Sequence, residues 1–240
     1  MDFSRFFTIK DFFNYYIAGT IWIADIILLI YLKDSSSLYS LWDSLLNSGS
    51  TFRTIFEAII MIILPYTIGF ALGTLSAKIT RKLRNKYGGD PIEWIIPENY
   101  ECKEHKGKRL PKDERERINK VIKGTLGIHL NVKYCFYPIR AYVIDKGGPA
   151  VGLAERAQYL ANFTESLMLP FPIFFAIVTC IIITELHIIS CVFAVLVAGL
   201  IGISMFIILF DRYMELRRYW AMHIYREFLV ITADKNDDMS

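Results

Sequence analysis
The sequence predicts an all-α integral membrane protein: four transmembrane helices, with a mainly helical cytoplasmic domain formed by the central loop and the C-terminal tail. Three observations lead there. Between Glu165 and Glu185 lie 19 uncharged residues, and between Glu185 and Asp211 another 25. A bilayer core of about 30 Å is crossed by roughly 20 apolar residues of helix, so these runs read as a hairpin turning at Glu185–Leu186–His187. Core helices of a soluble protein normally carry a polar stripe, and these runs have none. The third observation is charge: the segment 78–165 holds 18 Lys/Arg against 11 Asp/Glu, whereas the two apolar hairpins hold few.

Residues 1–77 form the N-terminal hairpin. Its first span, 12–32, is interrupted by a single charge, Asp25. Trp22 and several tyrosines are available for the interfaces. Lys33-Asp-Ser-Ser-Ser follows without a small-x-small cleavage pattern, so the span is expected to remain as an anchor. The second span, 58–77, contains Pro65, where a missing backbone donor predicts a kink and a hinge. It also contains Gly69-x-x-x-Gly73, a spacing that permits close helix approach in lipid, within one chain or between chains. Glu57 stands at its start. Between the spans, Leu38, Leu41, Trp42, Leu45 and Leu46 share one helical face; 38–46 reads as an outer interfacial helix or a loop packed on the spans.

The basic segment 78–165 fixes orientation. Lys78, Arg81, Lys82, Arg84 and Lys86 follow span two, and Arg212, Arg217, Arg218 and Arg226 follow span four. The positive-inside rule then places both termini and the long loop on the cytoplasmic side of the inner membrane. The run Arg81–Lys86 serves that topology or binds anionic lipid. Gly88-Gly-Asp-Pro91 and Pro97 break any helix, and Tyr100–Pro111 is a polar connector. Asp113–Leu126 predicts a charged helix with Ile118, Val121, Ile122 and Leu126 on one face. Aromatic and β-branched residues between Leu130 and Ile144 are compatible with short strands or with a buried helix entering after Pro138.

Pro149, after Gly147-Gly148, is placed to start a helix with Leu153, Leu160, Phe163 and Leu167 on a common face. Pro170 and Pro172 interrupt it at the start of the C-terminal hairpin, 166–210, and are read as a hinge or a plain kink. Beyond it, 211–240 form a cytoplasmic helix and tail. Tyr213, Met214, Leu216, Trp220, Ile224 and Phe228 supply an apolar stripe that continues span four. One helix of some 45 residues from Ile188, roughly 67 Å long, is expected to couple membrane and cytoplasmic parts rigidly.

Few residues point to chemistry. Cys102, Cys135, Cys180 and Cys191 show neither CxxC nor Cys/His ligand spacing, so neither a disulfide framework nor a metal site is expected. There is no GxSxG, Walker loop or HExxH, and no cofactor is expected. Arg218-Tyr-Trp-Ala-Met-His223 has the Arg-x4-His spacing that looks like the motif of the HEPN ribonucleases; that likeness implies a membrane-bound nuclease. Tyr219 departs from the family's polar residue, and a packed helix is the better reading, so no enzyme is expected.

Asp25 and Glu57 are the candidate pore or ion residues. A carboxylate inside a span faces a bundle interior or water. It favours cations if several subunits bring it to one axis; otherwise it snorkels outward or pairs within the bundle. Glu57 is more interfacial, and His187 alone makes no pH switch. Lys106, Lys108, Arg109, Arg115, Arg117 and Arg140, with Tyr134, Phe136, Tyr137 and Tyr142 interleaved, are compatible with a nucleotide or oligonucleotide ligand and equally with a solvated surface.

Two stretches, Asp11-Phe-Phe-Asn-Tyr-Tyr-Ile-Ala-Gly-Thr20 and Glu155-Arg-Ala-Gln-Tyr-Leu-Ala-Asn162, together with the four-span layout, resemble small bacterial membrane effectors of antiviral defence systems. The resemblance is one of architecture. It implies a homo-oligomer that disturbs the bilayer when a cytoplasmic sensor or nucleotide signal releases it. The rival expectation is a membrane scaffold or sensor that recruits a cytoplasmic protein partner.

Overall fold
The computed structural model describes residues 9–33, 51–92, 95, 110–126, 136–185 and 191–237. Among them lie seven helices: α1 Ile9–Lys33, α2 Thr51–Lys86, α3 Lys112–Leu126, α4 Phe136–Lys146, α5 Val151–Leu167, α6 Pro170–Glu185 and α7 Cys191–Asp237. The protein is all-α. Three helices are long and apolar enough to cross a membrane; the bent pair α5–α6, turning by 44°, makes a fourth if it counts as one span. That is the pattern of a multi-pass membrane protein. The interfacial segment 38–46 and the turn Leu186–His187 lie outside the described residues.

The chain divides into two compact units, Met1–Thr80 with Asn162–Asp211, and Arg81–Ala161 with Arg212–Ser240. In the first, α1 packs against α6 and crosses α2 at two glycines. A Cβ on Gly19 would meet the carbonyl of Pro65 and lie 2.8 Å from the Gly69 nitrogen. A Cβ on Gly69 would meet the Tyr15 carbonyl. Backbones this close leave no room for a side chain, which is what small residues provide between apolar helices. Gly69-x-x-x-Gly73 is thus engaged within the chain, Gly73 lying against the Tyr15 ring. Rings of Phe12, Tyr15, Tyr66 and Phe70 gather beside the crossing, Tyr15 meeting Phe70 edge-on at 5.3 Å and Phe12 stacking on Tyr66 at 5.4 Å. The helix continues through Pro65.

α7 shows the same device. Ala194 and Ala198 are buried. On the same row Gly202 would place a Cβ 3.3 Å from the Pro172 carbonyl and from Ala176. The large residues Val192, Val195, Leu196, Leu200, Ile203 and Ile207 point outward. Pro170 and Pro172 fall in the first turn of α6, where a missing N–H costs nothing because those groups have no helical partner. They mark a helix start after the break at Met168–Leu169. At that break Ser76 Oγ donates to the Glu165 carbonyl, and Thr80 Oγ1 donates to the Ser76 carbonyl at 2.8 Å.

The second unit has a core of ordinary soluble character. Ile118 and Ile122 of α3, Phe136, Ile139 and Val143 of α4, and Trp220, Ile224, Tyr225 and Phe228 of α7 are buried together. The stripes read on α3 and on the tail are therefore the packed faces. The ambiguous stretch before Ile144 is helical from Phe136 onward, so α4 starts ahead of Pro138, which takes the third position where its lost donor is not needed. On α5 the expected face is corrected. Leu153 is exposed and Leu160, Phe163 and Leu167 are half-buried, whereas Ala154, Ala157, Ala161 and Thr164 are buried; the helix turns its small residues furthest inward.

Two of the described helix ends are set by glycines. α2 closes in a Schellman cap: Gly88 has φ of 101° and the Gly89 N–H reaches the Arg84 carbonyl at 3.0 Å, satisfying an orphan carbonyl of the last turn. After α4, Gly147 takes φ of 68°. Gly148 then leaves the space that the buried Glu227 carboxylate occupies, since a Cβ there would fall on Glu227 Oε1. Gly148→Ala is expected to cost about 1–3 kcal/mol, the usual range for overpacking. Most of that should return in Gly148→Ala/Glu227→Ala, read as coupling in a double-mutant unfolding cycle. Additive losses would mean that the two residues do not compete for this space.

Candidate functional site
Polar groups within an apolar span are the first place to look for function. Asp25 lies four turns into α1 and is 1% exposed. Neither carboxylate oxygen has a hydrogen-bond partner among the described residues. The sequence marks this residue by charge alone; the fold adds that the carboxylate is enclosed by its own chain. An unpaired carboxylate in hydrocarbon surroundings costs about 2.5–3.5 kcal/mol on insertion scales, so the site is held at the expense of stability. Glu57 is placed within α2, and its side chain lies outside the described residues.

The second unit contains a basic–aromatic cluster that the sequence does not single out. The Gly88-Gly89 cap turns the chain so that Asp90 folds back on α2. Asp90 accepts two bonds from Arg217, Nε to Oδ1 at 3.3 Å and a terminal nitrogen to Oδ2 at 3.0 Å. Arg84 pairs with the same carboxylate at 3.0 Å and donates to the Tyr213 hydroxyl at 3.2 Å. The Ile92 N–H closes an Asx turn on Oδ1 at 3.2 Å. Arg217 also lies over the Trp220 ring at 5.5 Å, and Arg140 over the same ring at 5.8 Å. Asp90 is thus saturated by two guanidiniums and an amide, which leaves the Arg84–Asp90–Arg217 network with one excess positive charge and Arg140, on the other side of the Trp220 contact, with a second. The signal for it in the sequence is an aspartate directly after a Gly-Gly stop.

The six basic residues considered as a ligand set are not brought together by any contact among the described residues. Lys106, Lys108 and Arg109 lie outside them. Arg117 is exposed on α3. Arg115 is half-buried there, with Nε lacking a hydrogen-bond partner among the described residues. Arg140 is held inside the unit by Trp220 and by Gln158 at 3.5 Å. Arg218 lies over Tyr219 at 5.3 Å. His223 follows five positions later on the same helix, which rotates the two side chains roughly 140° apart. A second missed residue is Glu227, a buried carboxylate in the row of Trp220 and Ile224; its charge inside an apolar stripe was the available signal. Cys180 is a free thiol. No group of three or more His, Cys, Asp and Glu is placed to hold a metal among the described residues.

Comparison with protein-family models, curated proteins and solved structures returned no match for this chain. The functional reading therefore rests on the residues themselves.

Proposed function
We propose that this protein is an inner-membrane effector or channel, acting as a homo-oligomer, with both termini and the helical second unit in the cytoplasm. The observation that carries the reading is Asp25. A buried, unpaired carboxylate in a membrane helix is costly to keep, and such groups mark ion pathways and gating devices in helical bundles. In this reading the enclosed carboxylate belongs to a closed state, and opening the bundle wets it and concentrates cations. The Lys/Arg excess after spans two and four supports the orientation. The basic loop supports an anionic trigger of nucleotide or oligonucleotide type, as in a defence effector held silent until signalled.

The experiment is conductance of purified protein reconstituted in liposomes, wild type against Asp25→Asn. Asparagine keeps the shape and removes the charge, so thermal stability should hold or rise while cation flux falls about 3- to 10-fold, because a charged side chain lining a narrow path sets local cation concentration. Wild-type flux in an assembled Asp25→Asn protein would exclude the carboxylate from the path. Absence of flux in the wild type, with a cytoplasmic protein co-purifying, would favour the scaffold.

A further inference from the structure
The helix divides the basic run at the end of α2 between two faces. At the helical rotation per residue, Lys78, Arg81, Lys82 and Lys86 fall within an arc of about 140°, and Arg84 points about 130° away from its middle. Arg84 is drawn into the packed cluster by Asp90 and Tyr213, whereas the other four side chains are exposed. Their arc continues an exposed apolar row of the same helix. Leu64, Ala71 and Leu75 precede Lys78 and Lys82 at spacings of seven, four, three and four residues, and Leu64 and Leu75 are 45% and 46% exposed. No Asp or Glu occurs between Ala58 and Lys86. The stretch from Ala58 to Ala77 rises about 30 Å, the hydrocarbon thickness of a bilayer, and Lys78 to Lys86 adds about 12 Å. The headgroup layer beyond the hydrocarbon is about 5–8 Å deep. The face that meets acyl chains therefore turns cationic at the depth where the helix passes among the phosphates.

We propose that this face of α2 holds the headgroup of an anionic phospholipid. Lys and Arg bring donors and no acceptor, and the phosphodiester brings acceptor oxygens and a full negative charge. A zwitterionic headgroup adds an ammonium, for which the helix offers no carboxylate. The occupant is a lipid because the cations continue a lipid-exposed row: with its phosphate at Lys78 and Lys82, a phospholipid lays its acyl chains along Leu75, Ala71 and Leu64. A soluble anion would gain nothing from that continuity. Each Lys or Arg near an anionic leaflet strengthens the attraction about fivefold. Orientation of the chain needs only the number of positive charges, which Arg84 serves as well as its neighbours; lipid binding needs the shared face. Neither Asp25 nor conduction enters this site.

The test uses the full chain in maltoside detergent, titrated with dioctanoyl phosphatidylglycerol or dioctanoyl phosphatidylcholine and read by native mass spectrometry as lipid retained. Phosphatidylglycerol is expected to bind about tenfold or more tightly than phosphatidylcholine. Arg81→Gln/Lys82→Gln/Lys86→Gln should bring the two lipids within about threefold of each other, because the shared face loses three of its four charges. Lys112→Gln/Lys120→Gln/Lys146→Gln removes as many exposed cations from α3 and α4 and should keep the wild-type ratio. If the α2 triple variant does not elute at wild-type size, Lys82→Gln and Lys86→Gln carry the decision, each lowering the ratio about fivefold. Equimolar adenosine triphosphate, a soluble polyanion without acyl chains, should not displace the bound phosphatidylglycerol. Equal affinity for the two lipids in the wild type, an unchanged ratio in the α2 variants, the same loss in both triple variants, or displacement by the nucleotide would overturn the proposal.

Discussion
Gly19→Leu or Gly69→Leu is expected to abolish the folded first unit, with loss of monodisperse protein in detergent and a stability deficit above about 3 kcal/mol. The obstacle to a side chain at either position is backbone: the Pro65 carbonyl faces Gly19, and the Tyr15 carbonyl faces Gly69. A flexible side chain could swing away, whereas a carbonyl moves only with its helix. Even Gly19→Ala must therefore separate α1 from α2 and loosen the ring contacts around Tyr15, Tyr66 and Phe70. Overpacking of this kind costs about 1–3 kcal/mol when the neighbours can yield, so the alanine variants should fall at the upper end. Gly199 provides the control. It lies in α7, a Cβ there would meet nothing within 4 Å, and alanine is about 1 kcal/mol better than glycine inside a helix. Gly199→Ala should be neutral or stabilising by thermal melting in the same detergent. Equal melting temperatures for Gly19→Ala, Gly69→Ala and Gly199→Ala would show that the crossing is looser than described.

Asp90→Ala is expected to destabilise the second unit by about 2–4 kcal/mol. Removing one partner of a buried ion pair costs about 3–5 kcal/mol, because the remaining charge is left without compensation. Here the side chains of Arg84, Asp90 and Arg217 are 15%, 17% and 13% exposed, and that residual solvation lowers the figure. Two guanidiniums lose their counter-charge at once, and the Ile92 N–H loses its acceptor. Asp90→Asn keeps the shape and an acceptor for Ile92, so its loss should be smaller. Hydrogen exchange along 212–229 should report the change, since Tyr213, Arg217 and Trp220 all belong to the cluster. A deficit under about 0.5 kcal/mol, the scale of an exposed surface pair, would mean that the network adds no stability.

How much of this was legible beforehand depends on which solvent the residues were sorted against. In the second unit water does the sorting. Ile118 and Ile122 on α3, and Trp220, Ile224 and Phe228 on α7, stand out from charged neighbours at helical spacing, and the structure buries those faces. The long apolar runs, the uninterrupted α7 and the helix start after Pro149 are equally local matters of length, hydropathy and proline chemistry. The sequence by itself determined an all-α chain with several membrane-length apolar helices and a separate amphipathic helical part; its count of four stands in the structure as three, or four if α5–α6 is one span.

What only the tertiary structure decided is which face of each apolar helix turns inward. A span that is apolar all round carries no hydropathy period, so the Ala194–Ala198–Gly202 row passed unnoticed; on α5, hydropathy favoured the larger Leu153 over its neighbour Ala154, and the structure buries the alanine. Size sorts these faces instead: backbones come together where side chains are small. The same holds for the polar positions. Charge marked Asp25, but its enclosure depends on the helices packed around it. Asp90 and Arg217 are 127 positions apart. Contacts between residues so distant in the chain arise from packing, and no local spacing encodes them.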